Sequence, residues 1–486
     1  MSHAEPIPVA IFKDKEVDAS SSIELLFDAQ KKAFALDRYP SYESRVRDLK
    51  RLKTALLANK NELLTALERD FLYRSHDETL IGDIFTSTSA IEYTLKNLKS
   101  WMKPQRRKVG MVFQPASANI HYQPLGVVGI IAPWNYPVFL TLGPLVAAIA
   151  AGNRAMIKVS EFTPQTNMVL MRMLASVFER NKVCVIEGEA KTAAFFSILP
   201  FDHLLFTGST QVGRQVMKAA ANNLVPVTLE LGGKSPVIID GKISMNAAVK
   251  RFIYGKTLNA GQTCVAPDYI YCPEPRINEL VEAIKKQYES MYPSALGCEC
   301  RTRIINTRQF NRLQGYLDDA KAKGAKVVAL GKVKMNGESC FMPLTLVLNA
   351  TSEMTVMQEE IFGPILPILG YSDVQAVING INENPRPLGL YIQSHDKQFQ
   401  NRILTQTHAG GVCINDAAFQ VVMDDLPFGG VGASGIGSYH GVEGFRTFSH
   451  AKSVLSRGHL FFGDMLFPPY GKAFHRMFYK LFIGHD

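Results

Sequence analysis

Tryptophan is nearly missing from this chain and cysteine is sparse, with two and seven residues among 486. Seven cysteines, an odd number without regular spacing, exclude a disulfide framework in a chain this long and point to a reducing compartment, so a cytoplasmic location is expected. Cys298 and Cys300 form a Cys-x-Cys pair, but no second pair with zinc-ligand spacing accompanies them, and no structural metal is expected. The opening stretch MSHAEPIPVAIFKDKE lacks a basic segment followed by an apolar run, so no secretory signal is read there.

Runs of like charge are also scarce. The net charge of +9 is spread along the chain, and only KPQRRK at 103–108 is densely basic. No nucleic-acid module or interleaving of basic and stacking residues accompanies that run, so nucleic acid is excluded as a partner and a solvated loop is expected. One uncharged stretch, 122–153, is long enough to span a bilayer. Pro124, Pro133, Pro137 and Pro144 break any such helix, leaving a buried strand, GVVGIIAPW, a loop at NYP and a small-residue helix ending near Gly152.

What is there is an ordinary globular composition, 47% hydrophobic and 20% charged, in a chain too long for one core. Residues 21–103 read as a helical lead-in, with Leu49, Leu52, Leu56 and Leu57 marking one face. VGMVFQPASANIHYQPLG reads as two short strands around a turn at Pro115 to Asn119. From 125 to about 240 strands and helices alternate, the pattern of a parallel sheet with helices on both faces; Thr163 is placed to cap the second helix ahead of Pro164. A second α/β region follows. After about 415 the chain turns glycine-rich and closes in an aromatic tail.

Several short stretches carry chemistry. In TLNAGQTCVAPD, Cys264 sits among Gly261, Gln262 and Thr263, poor core neighbours, as a reactive thiol does; a small buried hydrophobe is the alternative. Glu230, in the apolar VTLELGG, is a desolvated carboxylate suited to general-base work or a buried structural one. Asn135 of APWNYP can donate to an oxyanion or satisfy its turn. In HLLFTGSTQVGRQVMKAAA a strand runs through Gly208 into a helix with Val212, Val216 and Ala220 on its inner face, leaving N–H groups for a phosphate or merely turning the chain. Lys158 and Glu161 of AMIKVSEFTP can hold ribose hydroxyls or form a surface ion pair.

The joint presence and order of PWNYP, IKVSEFTP, FTGSTQVGR, LELGGKSP, GQTC, EEIFGP and PFGGVGASGIGSYHG closely resemble the aldehyde dehydrogenase superfamily, over roughly residues 30–455. The resemblance implies an α/β protein with a Rossmann-like, doubly wound NAD-binding domain, an α/β catalytic domain and a small β oligomerisation arm. It makes Cys264 the nucleophile, Glu230 the general base and Asn135 the oxyanion donor. Lys158 and Glu161 would hold the adenosine ribose. Trp134, Gly208, Ser209, Val212, Gly213 and Leu231 would line the dinucleotide cleft, and Glu360 and Phe362 the nicotinamide half. The short N-terminal region and GASGIGSYHG look most like the class 3 branch, and in it the coniferyl aldehyde dehydrogenase group. Tyr136, Ile414, Phe419 and His440 would then shape an aromatic-tolerant pocket, with ordinary packing as the alternative.

The domains expected from this are 20–107 with 124–231 for the cofactor, 232–414 for catalysis, 108–123 with 415–455 for oligomerisation and bridging, and 456–486 as a tail. Glu161 favours NAD over NADP, although class 3 relatives can use both. A homodimer is expected. In the tail Phe474, Phe478, Leu481 and Phe482 fall at helical spacing, opposite Lys472, Arg476 and Lys480. Such a helix can lie on a membrane surface, but packing on its own or a partner subunit is favoured. A medium- or long-chain fatty aldehyde dehydrogenase is the alternative within the family. An acylating relative using coenzyme A or a reductase working in reverse, a catalytically silent structural or membrane-associated protein and a cysteine hydrolase complete the alternatives; Glu230, an intact Cys264 and the cofactor motifs argue against these in turn.

Overall fold

The computed structural model describes residues 16–293, 301–459 and 463–484; Cys298 and Cys300 lie outside the described residues. In chain order the strands are β1 (Gln105–Arg107), β2 (Ala116–Pro124), β3 (Val127–Ile131), β4 (Arg154–Lys158), β5 (Val183–Ile186) and β6 (His203–Thr207). Next come β7 (Val227–Glu230), β8 (Pro236–Ile239), β9 (Tyr269–Pro273), β10 (Lys326–Ala329) and β11 (Thr345–Leu348). The last are β12 (Ile365–Tyr371), β13 (Gly389–Gln393), β14 (Gly411–Ile414), β15 (Gly435–Ile436) and β16 (Ser449–Arg457).

They form a six-stranded sheet in the order β15-β7-β6-β3-β4-β5, a seven-stranded sheet in the order β10-β11-β12-β9-β8-β13-β14, and a three-stranded sheet β1-β2-β16. The first two are parallel except at one edge, where β15 and β10 run antiparallel to β7 and β11. Strands such as VVGII, HLLFT and PVII are buried throughout, as sheets covered on both faces require. This is the doubly wound α/β architecture with a small antiparallel arm.

The uncharged stretch resolves as expected. β3 leads through the loop at Asn135 into a helix, Phe139–Ala151, in which every residue is buried and which ends at Gly152 in the left-handed conformation. Other local expectations fail. Asp70 caps the helix Pro164–Val177 in place of Thr163, which makes no capping bond: the Asp70 carboxylate accepts from Gln165 N at 3.0 Å and Thr166 N at 2.8 Å. An acidic cap from a distant helix satisfies the same orphan donors and meets the positive end of the helix. Leu57 is exposed while Leu49, Leu52 and Leu56 are buried. Most of Pro115 to Asn119 belongs to β2, preceded by a 3₁₀ turn, and the basic run supplies β1, whose Gln105–Arg107 pair with Ala118–Ile120. Long polar side chains suit an exposed edge strand, and here they make one rather than a loop.

Candidate active site

In the six-stranded sheet the chain builds β3, β4 and β5 outward, then returns to place β6 on the other side of β3. Such a reversal opens a crevice at the carboxyl ends of the strands. Asn135 follows β3, Lys158 ends β4, Gly208 follows β6 and Glu230 ends β7. The connections into β9 and β12 bring Cys264 and Glu360 to the same place. The resulting cleft, of about 770 Å³, is lined by Trp134, Asn135, Gly208, Ser209, Glu230, Leu231, Cys264, Glu360 and Phe362.

Cys264 stands after a helix, Met245–Thr257, that ends in an unusual turn. Asn259, Ala260 and Gly261 are all left-handed, at φ 51°, 52° and 72°. Two such non-glycine residues in a row cost backbone energy and hold only where the surroundings enforce them. Here the Gln262 amide donates to Asn259 O at 3.0 Å and Arg303 O at 2.9 Å, and its oxygen accepts from Ile305 N at 2.9 Å. Gly261 passes so close to Gly363 that a Cβ would lie 2.5 Å from its carbonyl oxygen. The turn before Cys264 and the loop carrying Phe362 are therefore packed backbone to backbone.

Burial pushes the Cys264 thiol up to about 12, and the Glu360 and Glu230 carboxylates push the same way; the backbone N–H groups of Cys264 and Val265 oppose them. The protein alone thus holds Cys264 as the thiol. Glu230 is enclosed, neither carboxylate oxygen has a hydrogen-bond partner among the described residues, and burial raises its pKa well above the ordinary range. The alternative of a structural carboxylate paired with a base finds no partner there.

Asn135 is 3% exposed. Its amide donates to Gln262 O at 3.1 Å, and its backbone carbonyl accepts from Asn259 Nδ2 at 2.9 Å and Arg74 Nη1 at 2.8 Å. An amide carries two N–H groups, so one bond to Gln262 leaves donor capacity at the cleft wall. Across the cleft, burial holds the Glu360 carboxyl up at about 8, with Asp268 adding to it. Lys234 pairs with Asp268 and donates to Val356 O at 2.8 Å and Glu359 O at 3.0 Å, while Arg312 donates to Ile361 O at 2.8 Å. These cations staple the Glu359–Phe362 segment in place. Phe362 meets the Trp134 ring edge to face at 5.3 Å.

The other expected residues lie around this cleft without lining it. Lys158 is buried and donates to Glu161 Oε2 at 3.3 Å. Gly213 packs under Leu231, where a Cβ would be 2.6 Å from Leu231 Cδ2. Val212 points outward, and the inner face of its helix is Gly213, Val216 and Ala220. Tyr136 is buried with its hydroxyl 3.2 Å from Thr263 Oγ1. Phe419 stacks on Tyr254, Ile414 is partly exposed at the end of β14, and His440 stacks on Phe428 at 5.2 Å. Neither His440 nitrogen has a hydrogen-bond partner among the described residues, and burial lowers its pKa to about 4, so the ring is neutral.

Sequence reasoning missed Arg74, Asp83, Asn259, Arg312 and Tyr439. Tyr439 is buried in the field of Glu230 and Cys264, its hydroxyl without a partner among the described residues. Asn259 and Tyr439 stand inside the quoted motifs; Arg74 and Asp83 lie in a helical stretch with no motif to mark them. Among the described residues no group of three or more His, Cys, Asp or Glu is placed to hold a metal ion.

Residues 7–454 match the Aldehyde dehydrogenase family. The chain is 50% identical to a probable coniferyl aldehyde dehydrogenase of Pseudomonas aeruginosa, over 95% of this chain and 97% of that one. It is 43% identical to a coniferyl aldehyde dehydrogenase of a Pseudomonas species, over 92% and 94%. Among solved structures, the substrate-bound state of Staphylococcus aureus AldH superposes with a TM-score of 0.90 at 38% identity, covering 95% of this chain and 99% of that one. A Mycobacterium tuberculosis aldehyde dehydrogenase complexed with NAD+ gives 0.82 at 28% identity, covering 91% of each.

Proposed function

The chain belongs to the aldehyde dehydrogenase family and oxidises an aldehyde in an NAD(P)-dependent reaction, and from that premise we propose that the aldehyde is an aromatic, coniferyl-type one. The observation that carries the proposal is the full-length similarity to coniferyl aldehyde dehydrogenases at 43–50% identity.

Cys264 attacks the aldehyde carbon and forms a thiohemiacetal. The Asn135 amide and the Cys264 backbone N–H hold the oxyanion, each such donor accounting for about 10² to 10³ in turnover. A bound nicotinamide would supply the acceptor for the hydride leaving the thiohemiacetal carbon. The thioester left on Cys264 is hydrolysed by a water from which Glu230 takes the proton, and the acid is released.

The residues present fit a nicotinamide dinucleotide. The helix Thr210–Ala221 opens onto the cleft through Ser209, with backbone N–H groups suited to a pyrophosphate. Gly232 leaves room that a Cβ would close against Glu360, at 2.1 Å from its Oε2. Lys158 and Glu161 hold the ribose, Gly213 lets its helix pack close under Leu231, and NAD is preferred because the Glu161 carboxylate repels a 2′-phosphate. The protein acts as a cytoplasmic homodimer whose arm contains β2 and β16, a closed pair being the commonest assembly.

The test is NADH and NADPH formation with coniferaldehyde, benzaldehyde and a medium-chain alkanal, alongside Cys264→Ala. The highest kcat/KM for coniferaldehyde and an inactive variant are expected. A clear preference for the alkanal would replace the aromatic reading by a fatty-aldehyde one, and an active Cys264→Ala would overturn the mechanism.

A further inference from the structure

The loop that carries Asn135 is gripped from below by a buried ion pair. Arg74 is fully enclosed; its Nη1 donates to Asn135 O and its Nη2 to Asp83 Oδ2, each at 2.8 Å. The guanidinium lies over the rings of Phe71 and Tyr136, 5.0 and 4.8 Å from their centroids. Packing on two aromatic faces, one charge-assisted bond to the Asp83 carboxylate and a second bond to the Asn135 carbonyl leave the group one orientation. The other Asp83 oxygen accepts from Val138 N at 3.1 Å and Phe139 N at 3.0 Å, the first turn of the helix Phe139–Ala151. The pair therefore fixes the segment 135–139 at both ends, the Asn135 carbonyl and the helix N-terminus. Asp83 comes from a π turn, Leu80–Phe85, a rare geometry that sets its carboxylate opposite both.

We propose that Arg74 and Asp83 are positioning residues for the oxyanion hole: together they fix the peptide plane at Asn135, and so the direction in which its side-chain amide faces the reacting carbonyl. A buried ion pair contributes little net stability, because removing both charges from water offsets most of their attraction. Its directional bonds are what an oxyanion donor requires, since a displacement of about 1 Å at a reacting centre costs on the order of 10²-fold in rate. The inference rests on the role proposed for Asn135.

The test is a double-mutant cycle on the full chain. The first-turnover rate of NADH formation is measured for Arg74→Lys and Asp83→Asn, alone and combined with Asn135→Ala, with the KM for NAD and the alkylation rate of Cys264 as checks on folding. The expected result is a loss of about 10-fold or more for either single variant, at unchanged KM for NAD, falling below about 2-fold when Asn135→Ala has already removed the amide being positioned. Asp83→Asn keeps the size of the side chain, so the cycle runs on it if Arg74→Lys does not fold. Equal losses in both backgrounds would overturn the positioning role alone. A fully active Asn135→Ala would overturn the oxyanion assignment and the positioning role with it.

Discussion

The Glu230 carboxylate raises the pKa of the Cys264 thiol from across the shared cleft, and its own oxygens have no hydrogen-bond partner among the described residues. Burial opposes ionisation of both groups, so desolvation keeps the proposed base and the proposed nucleophile protonated, and a charge on Glu230 would push the thiol up further. The cycle proposed for the enzyme must relieve that opposition, and the first three predictions read its separate parts.

Iodoacetamide should alkylate Cys264 slowly near neutral pH and progressively faster toward about pH 10, because only the thiolate reacts. Glu360→Gln removes a carboxyl that is partly charged at a fixed pH of about 8 and should speed the reaction there. Mass spectrometry of the Cys264 peptide distinguishes it from Cys413, whose thiol is also raised, to about 11. A rate already flat below about pH 8 would contradict this setting of the thiol.

Glu230→Gln should leave the first turnover largely intact and slow the turnovers that follow. Without a base for water the thioester persists, and the steady-state rate should fall about 10²- to 10⁴-fold while a stoichiometric burst of NADH remains. Rapid mixing with excess aldehyde reads both phases; loss of the burst in step with the steady state would place Glu230 before hydrolysis.

The same substitution should stabilise the protein, and more so in alkaline solution. A carboxyl whose pKa is higher folded than unfolded binds its proton more tightly in the native state. Stability is then greatest below the unfolded value, 4.5, and is lost as pH rises toward the folded one. Glu230→Gln removes that loss. Its Tm should exceed the parent's by a margin that widens between about pH 5 and pH 8, as linkage requires. A margin that narrows with pH would mean that Glu230 is ionised and stabilised in the native state.

Glu161→Gln should shift cofactor preference toward NADP. The substitution keeps a hydrogen-bond acceptor for the ribose but removes the charge that faces a 2′-phosphate and frees Lys158 to meet one. Comparing kcat/KM for NAD and NADP before and after the change reads the effect, and an unchanged ratio would remove Glu161 from discrimination.

The α/β architecture was legible because alternation of buried strands and helices survives in the order of residues, and the catalytic motifs because each is short and local. Cys264, Glu230 and Asn135 could be picked out one by one; that they share a cleft follows from the strand reversal at β3. What escaped were residues whose work is done at a distance in the sequence. Arg74, Asp83 and Asp70 look like solvated helix charges until the fold brings a carbonyl or a helix N-terminus against them. Val212 fell on the wrong face because its helix buries Gly213 against Leu231 instead, a contact that periodicity alone does not predict.

β15, only Gly435–Ile436, lies antiparallel against Leu229 and Glu230, and Leu231 N donates to Ser434 O at 3.0 Å. The edge of the sheet that bears Glu230 is thus closed by a segment some two hundred residues further along. During synthesis the ribosome releases Cys264 well before that segment exists, so a nascent chain carries the proposed nucleophile beside an unfinished strand edge at its proposed base. Any product cut short before Gly435 would be left the same way, with an open strand edge at Glu230, and the hydrolytic half of the proposed cycle would await the segment at Gly435.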